Sequence, residues 1–339
     1  MLTRIVSVLL AGLGTAAISV SAAQAEDAID FAAAKREGSV VWYTSNNIDQ
    51  ANAIAKMFEA KTGIRVELFR SGGSAIMSRF QQERNARRSL TDVLSTTLPA
   101  AYAKFAKDGV FVAFKPKGFD KLQQDARNPD GYFFAHRVTV ITLFARSDIL
   151  PPGGVPKTWS DLTDKKYSGK MVITDPSYSS LQVTIMNGLS QKLGWGYYEA
   201  LRKNDTMVVR GNQQVTDLLK QRERAIGVGI DDSYAVQARR QGFPFVSVYP
   251  SEGTFALPNP NAIIKGSPHP NAAKLFAEFL LDDAVQQRIA ADGLFSPRLD
   301  FPAAPGSKKL SEIKLNPIDH EQVARNTKAI RQKFHEVFQ

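Results

Sequence analysis

The amino-acid sequence predicts an α/β chain built as two α/β lobes joined by hinge strands, and three observations carry the prediction. Short apolar runs alternate with amphipathic helical segments from Val40 onward, the β-α-β-α order of a parallel sheet covered by helices. The alternation restarts after the loop Pro151-Pro152-Gly153-Gly154. The chain has 339 residues, which suits two domains at ~150 residues each, and nothing repeats at a fixed solenoid period.

The elements follow in order. Val40 to Tyr43 is a short apolar run, a buried strand, and polar Thr44-Ser45-Asn46-Asn47 leads from it into a helix. Ile54, Met57 and Phe58 share one face of that helix, and Gly63 stops it. Ile64, Val66 and Leu68 alternate with Arg65 and Glu67 at strand period. Ser71-Gly72-Gly73-Ser74 then opens a helix carrying Ile76, Met77 and Phe80. Thr91 to Ser95 is a third strand, and Pro99 begins a third helix ending near Gly109. In the second half, Met171 to Thr174 is a strand feeding Asp175-Pro176-Ser177-Tyr178-Ser179-Ser180 and a helix. Ala225 to Ile230 is another, followed by Asp231-Asp232-Ser233 and a helix. Phe245 to Tyr249 and Ala262 to Ile264 are later strands, and Asn271 to Leu281 places Leu275, Phe276, Phe279 and Leu280 at helical spacing.

Composition excludes several classes. Hydrophobic residues make up 43% and charged residues 22%, a globular balance that rules out disorder and collagen-like sequence. The absence of cysteine removes disulfides, thiolate metal sites and cysteine nucleophiles together. His136, His269, His320 and His335 never fall within one helix turn of each other, so no HExxH-type metal site exists. The net charge of +10 favours anionic partners. The densest basic run, Arg84-Asn85-Ala86-Arg87-Arg88, has no interleaved aromatics, which argues against nucleic acid.

Residues 1–25 read as an export signal. Arg4 precedes an apolar run from Ile5 to Val20 broken by Gly12, Gly14 and Ser19, and Ala23-Gln24-Ala25 supplies a small-x-small cleavage pattern. The run is shorter than the ~20 apolar residues of a membrane span. Removing it takes away one basic and no acidic residue, so the net charge falls from +10 to +9. The expected location is the periplasm.

The run Val40-Val41-Trp42-Tyr43-Thr44-Ser45 with Phe58-Glu59-Ala60-Lys61-Thr62-Gly63 resembles the start of a periplasmic solute-binding protein of an ABC importer. Thr91-Asp92-Val93-Leu94, Tyr249-Pro250-Ser251-Glu252-Gly253-Thr254, Ala262-Ile263-Ile264-Lys265-Gly266 and Ala272-Ala273-Lys274-Leu275-Phe276 with Phe279-Leu280-Leu281 are similar to later segments of the family. The likeness spans roughly residues 38 to 300 and is to the subgroup of ferric-ion, phosphonate and sugar-phosphate binders. It implies the type II periplasmic-binding fold, two lobes closing on a ligand. It also implies the threading: a signal peptide over 1–25, lobe one from 26–138 and 250–300, lobe two from 139–249, and a C-terminal helical segment over 301–339 packing on the lobes. Arg137 to Phe144, apolar, β-branched and extended, is the expected first hinge.

In such sheets ligands sit beyond the carboxyl ends of strands, where helices begin. Three junctions here are small and polar: Ser45-Asn46, Ser71-Gly72-Gly73-Ser74 and Ser177-Tyr178-Ser179-Ser180. Glycines admit close backbone approach, serines add hydroxyl donors, and helix starts carry partial positive charge. Each such serine taken singly is explained by helix capping; the set together points to an oxyanion. Thr96 follows the third strand and joins the candidates. Arg137 offers a bidentate fork for phosphate or carboxylate, or else a partner for a lobe carboxylate. Asp231, Asp232 and Glu252 are candidate acceptors for hydroxyls or an ammonium group, Asp232 being equally an N-cap, and Tyr234 follows them.

The ferric-ion members of the family use an adjacent tyrosine pair after the strand that Ala225 to Ile230 resembles, where this chain has Asp231-Asp232-Ser233-Tyr234. Tyr197-Tyr198 lies elsewhere and is expected to pack in the core. The sequence therefore points to a binding protein, not an enzyme, with no cofactor. Its expected partners are a small anionic organic solute and an inner-membrane ABC permease, with no nucleic acid, and it is expected to be a monomer. A ferric-ion binder and an extracytoplasmic ligand sensor are the alternatives.

Overall fold

The computed structural model describes residues 29–88, 90–302 and 308–339. The expected signal peptide, residues 1–25, lies outside them. Among the described residues no helix is long and apolar enough to cross a membrane.

The first lobe opens with helix α1 (Phe31–Glu37), strand β1 (Ser39–Thr44), α2 (Ile48–Thr62), β2 (Arg65–Arg70), α3 (Gly73–Asn85), β3 (Val93–Ser95), α4 (Pro99–Lys107) and the short β4 (Phe111–Val112). Strand β5 (Phe134–Arg146) leads out of it. The second lobe carries β6 (Met171–Thr174), α5 (Ser180–Leu193), α6 (Trp195–Lys203), β7 (Met207–Val209), α7 (Asn212–Lys220), β8 (Ile226–Asp231), α8 (Asp232–Arg240) and β9 (Phe245–Val248). Strand β10 (Ala256–Ile264) returns to the first lobe, followed by α9 (Pro270–Phe279), α10 (Asp283–Ala291) and the C-terminal helix α11 (His320–Phe338).

The strands run in the order β2-β1-β3-β10-β5-β8-β6-β7. β1 pairs in parallel with β2 and β3, and β6 in parallel with β7 and β8, while β10 and β5 are antiparallel to their neighbours. The two long antiparallel strands carry the chain between lobes. β5 pairs with β10 over its first half and with β8 and β9 over its second.

Strand alternation builds a core on each face of each half-sheet. Trp42, Val93 and Ile263 join one apolar cluster of the first lobe, while their chain neighbours Tyr43, Leu94 and Ala262 join the opposite one. In the second lobe Leu143 and Ile173 face one cluster, and Phe144 and Val172 the other. Trp42 and Tyr43 are thus both packing residues. Tyr197 and Tyr198 are buried in the second-lobe core, where burial pushes both phenols well above their usual pKa.

The sequence reading places a strand only over Ala262 to Ile264, whereas β10 begins at Ala256. Pro258 and Pro260 hide its first half, because proline cannot donate to a ladder. There β10 pairs with β5 alone, and the register shifts between Asn259 and Pro260. A one-sided, bulged strand accommodates both rings.

Candidate functional site

Every parallel strand ends at the same cleft, and the turns that follow line it. They contribute Ser45 after β1, Gly72 and Gly73 after β2, and Thr97 after β3, while Arg70 closes β2 itself. From the second lobe come Tyr178, Ser179, Ser180 and Leu181 after β6, Gly211 and Asn212 after β7, and Asp231 and Tyr234 at β8–α8; Arg137 enters from β5. The starts of α3, α5 and α7 all face this space, and their N-caps are Gly72, Ser179 and Gly211. Each brings the positive end of a helix dipole to it, while among the first-turn N–H groups Ser74 N donates to Tyr178 O and Gln182 N to Ser179 Oγ.

The glycines are there because the lobes touch. A Cβ at Gly72 would run into the Tyr178 ring and carbonyl, and one at Gly73 into the Ser180 side chain. Ser71 Oγ lies 3.3 Å from the Tyr178 hydroxyl, and the Thr97 and Ser180 hydroxyls are hydrogen-bonded across the cleft. The space left is about 40 Å³, room for a few waters. The lobes are in a closed arrangement, and anything larger than a few waters would fit between them only if they parted.

Two guanidinium groups dominate the electrostatics. Arg137, 1% exposed, donates Nε to Asn46 Oδ1 (3.0 Å) and Nη1 to Thr139 Oγ1 (3.0 Å) and to Asp231 Oδ2 (3.4 Å). Burial lowers its pKa, Asp231 opposes that, and Arg70 adds to it; a guanidinium nonetheless keeps its proton. Arg70 donates Nε to the Asn46 carbonyl (2.9 Å) and Nη2 to the Tyr234 hydroxyl (3.1 Å). Asn46 therefore holds both cations, one by its side chain and one by its backbone, and its Nδ2 lies 3.1 Å from His136 Nε2. Burial pushes the Tyr234 phenol up to about 12, so it acts as a neutral hydrogen-bonding group. Two arginines against one carboxylate leave the cleft with an excess positive charge.

Of the residues singled out from sequence, Ser45, Gly72, Gly73, Arg137, Tyr178, Ser179, Ser180, Asp231 and Tyr234 line the cleft. Others do not. Asn46 sits behind the arginines, and the Ser71 hydroxyl is turned to Tyr178. Thr96 is fully buried with its hydroxyl toward Met77 Sδ (3.8 Å); its neighbour Thr97 takes the cleft side. Ser74 bonds Pro176 and Arg331, away from the cleft. Ser177 is exposed and contacts His335 Nε2 at 3.0 Å. Asp232 accepts from Thr142 Oγ1 (3.3 Å) and Tyr249 OH (2.6 Å) behind the hinge, and it is Asp231 that caps α8, accepting from Ser233 N at 3.0 Å. Glu252 caps the 3₁₀ turn Ser160–Thr163, accepting from the backbone of Trp159 and Ser160.

The sequence reading passed over Arg70, Thr97, Leu181, Gly211 and Asn212. Gly211-Asn212 carried a usable signal, since a short apolar run precedes it and Val215, Leu218 and Leu219 follow at helical spacing. Arg70 carried none beyond closing a strand.

Among the described residues no group of three or more His, Cys, Asp or Glu side chains is arranged to hold a metal ion.

Two relatives are similar to this chain in sequence and a solved structure in fold. An uncharacterized protein of Haemophilus influenzae is 26% identical over 266 residues, covering 75% of this chain and 76% of its own. Iron uptake protein A1 of Synechocystis is 23% identical over 273 residues, covering 76% and 75%. The periplasmic binding protein AfuA of Actinobacillus pleuropneumoniae, with exogenous fructose-6-phosphate bound, superposes with a TM-score of 0.78 at 23% identity, over 89% of this chain and 98% of that one. The fold is the type II periplasmic-binding fold expected from the sequence. Residues 53–314 match a single family across the first lobe, both crossing strands and the second lobe, and by that match the chain belongs to the bacterial extracellular solute-binding proteins.

Proposed function

We propose that the protein is the periplasmic substrate-binding component of an ABC importer and captures a small anionic organic solute, phosphorylated, phosphonate or carboxylate, between its lobes. The observation that carries this reading is the pair Arg70 and Arg137 set among the starts of α3, α5 and α7. One helix start contributes ~0.3–1 kcal/mol when exposed and up to ~2 when partly buried. Binding at ~1 μM needs about −8 kcal/mol in all, and three termini with two guanidinium groups reach that scale together. Closure about β5 and β10 buries the solute and excludes water. The protein itself carries out no chemistry; it hands the solute to an inner-membrane permease. In this account residues 1–25 direct export, residues 26–138 and 250–300 form lobe one and residues 139–249 lobe two, and the protein works as a monomer.

The test is thermal unfolding against a panel of phosphate esters, phosphonates and carboxylates. A ligand at ~100 times its dissociation constant adds about 2.7 kcal/mol of stability, and Arg70→Gln, weakening binding about tenfold, roughly halves the shift. No response to any of them overturns the reading. Native mass spectrometry of the purified protein identifies a co-purified solute directly.

Ferric ion is the second reading, favoured by two phenols on the cleft, Tyr178 and Tyr234, and by the iron-uptake relative. Against it stand the two arginines, which repel a trivalent cation. A phenolate charge-transfer colour that bleaches with chelator, without any response to organic anions, decides for iron.

A further inference from the structure

Helix α11 packs its apolar face into the second lobe and also lies against α4 of the first. Val323, Ile330, Phe334 and Phe338 are part of that lobe's core, and His335 Nε2 lies 3.0 Å from Ser177 Oγ. From this base Arg331 reaches the junction between the lobes. It donates Nε to the Pro176 carbonyl (3.3 Å), in the loop entering α5, and Nη2 to Ser74 Oγ (2.8 Å), on the first turn of α3 in the first lobe. Ser74 in turn donates its hydroxyl to Pro176 O (3.2 Å) and its backbone N–H to Tyr178 O (3.1 Å). The Ser74 hydroxyl thus has its one proton on Pro176 and a lone pair on Arg331, and it is 1% exposed. Among the described residues Arg331 enters no ion pair with a carboxylate. Its charge is directed at a hydroxyl of one lobe and a carbonyl of the other.

We propose that Arg331 is a positioning residue that latches the lobes closed through Ser74 and Pro176, and so sets how fast a captured solute leaves. This rests on the reading of the protein as a closing solute-binding protein. The chemistry is specific to the closed arrangement: parting the lobes carries Ser74 away from both Pro176 and Arg331, and a charged donor loses a desolvated acceptor. Because Gly72 and Gly73 precede Ser74 and Tyr178 follows Pro176 closely, the same three residues hold the starts of α3 and α5 face to face across the cleft.

The natural chain has no cysteine, so spin labels on Lys56→Cys and Lys203→Cys, exposed positions on opposite lobes, report interlobe distance cleanly. Distances are measured in the purified protein and with fructose 6-phosphate, 2-aminoethylphosphonate or inorganic phosphate added. Arg331→Ala should shift the distribution toward longer distances and speed release of any bound probe about tenfold, with association rate and urea midpoint changed less than twofold. Arg331→Lys should restore part of the effect, and Arg331→Ala with Ser74→Ala should be no worse than either alone. Distributions and release rates identical to wild type in every condition, or effects of the two substitutions that add, overturn the latch. If no probe alters the wild-type distribution, the solute-binding reading fails instead, and the ligand-free comparison of Arg331→Ala with wild type still decides the latch.

Discussion

Asp231 and Asp232 are adjacent in the chain and face opposite sides of the hinge, and the two sides differ in kind. In front, Asp231 accepts from Arg137 among helix starts, where positive charge is in excess. Behind, Asp232 lines a separate cavity of about 400 Å³ with Arg239, Ser247, Tyr249 and Lys308. There burial dominates and raises its pKa above the usual carboxylate value, although Tyr249, Ser247 and Arg239 pull it down. Side-chain alternation about the end of a strand hydrogen-bonds one carboxylate to a guanidinium and the other to the hydroxyls of Thr142 and Tyr249. The contrast teaches that a pair of acids in sequence is no unit of function.

The largest expected effect breaks the front. Arg137→Met leaves Asp231 buried without its partner, which should cost about 3–5 kcal/mol in urea unfolding. Adding Asp231→Asn should recover most of that stability without recovering anion binding. A double variant that regains both would remove Arg137 from the site.

A smaller effect acts on closure alone. Gly72 has φ −68°, open to any residue, so Gly72→Ala strains only the contact with Tyr178. Overpacking of this kind costs about 1–3 kcal/mol, here in the closed state. Small-angle scattering should then show a protein more expanded than wild type, both free of solute and at saturating solute. Full compaction would contradict the contact.

Arg70→Gln should lower affinity for an anionic solute about tenfold, the scale of a partly exposed charge-assisted hydrogen bond, with no change in stability. Calorimetry measures it. A change of the same size for a neutral solute would show that the charge is not what the cleft reads.

The smallest effect lies behind the hinge. Because Asp232 binds its proton more tightly folded than unfolded, wild-type stability falls as pH rises from the ordinary carboxylate value to the raised one, then levels. Asp232→Asn should lack that slope. At neutral pH it should be within about 1 kcal/mol of wild type, with solute affinity unchanged. A large loss of affinity would put Asp232 in the site.

Much of this was legible in the residues. Apolar runs and helical spacing marked β1, β6 and β8 to within a residue, and the small polar junctions at Ser71–Ser74 and Ser177–Ser180 do flank the cleft. Arg137 was legible as a charge opening an otherwise apolar strand. Glu252 was not, because the turn it caps lies about 90 residues earlier in the chain.

By itself the sequence determined the alternation of the longer strands and helices, though not β4, β7 or the first half of β10, and the rule that helix starts gather at strand ends, because both follow from local periodicity and backbone chemistry. Tertiary structure alone decided that Thr97 faces the cleft and Thr96 does not, that Asp231 meets Arg137 while Asp232 turns away, and that Ser74 ties the lobes together. Those choices depend on strand register and on which surfaces the lobes press together, and a shift of one residue in a strand reverses the direction of every side chain.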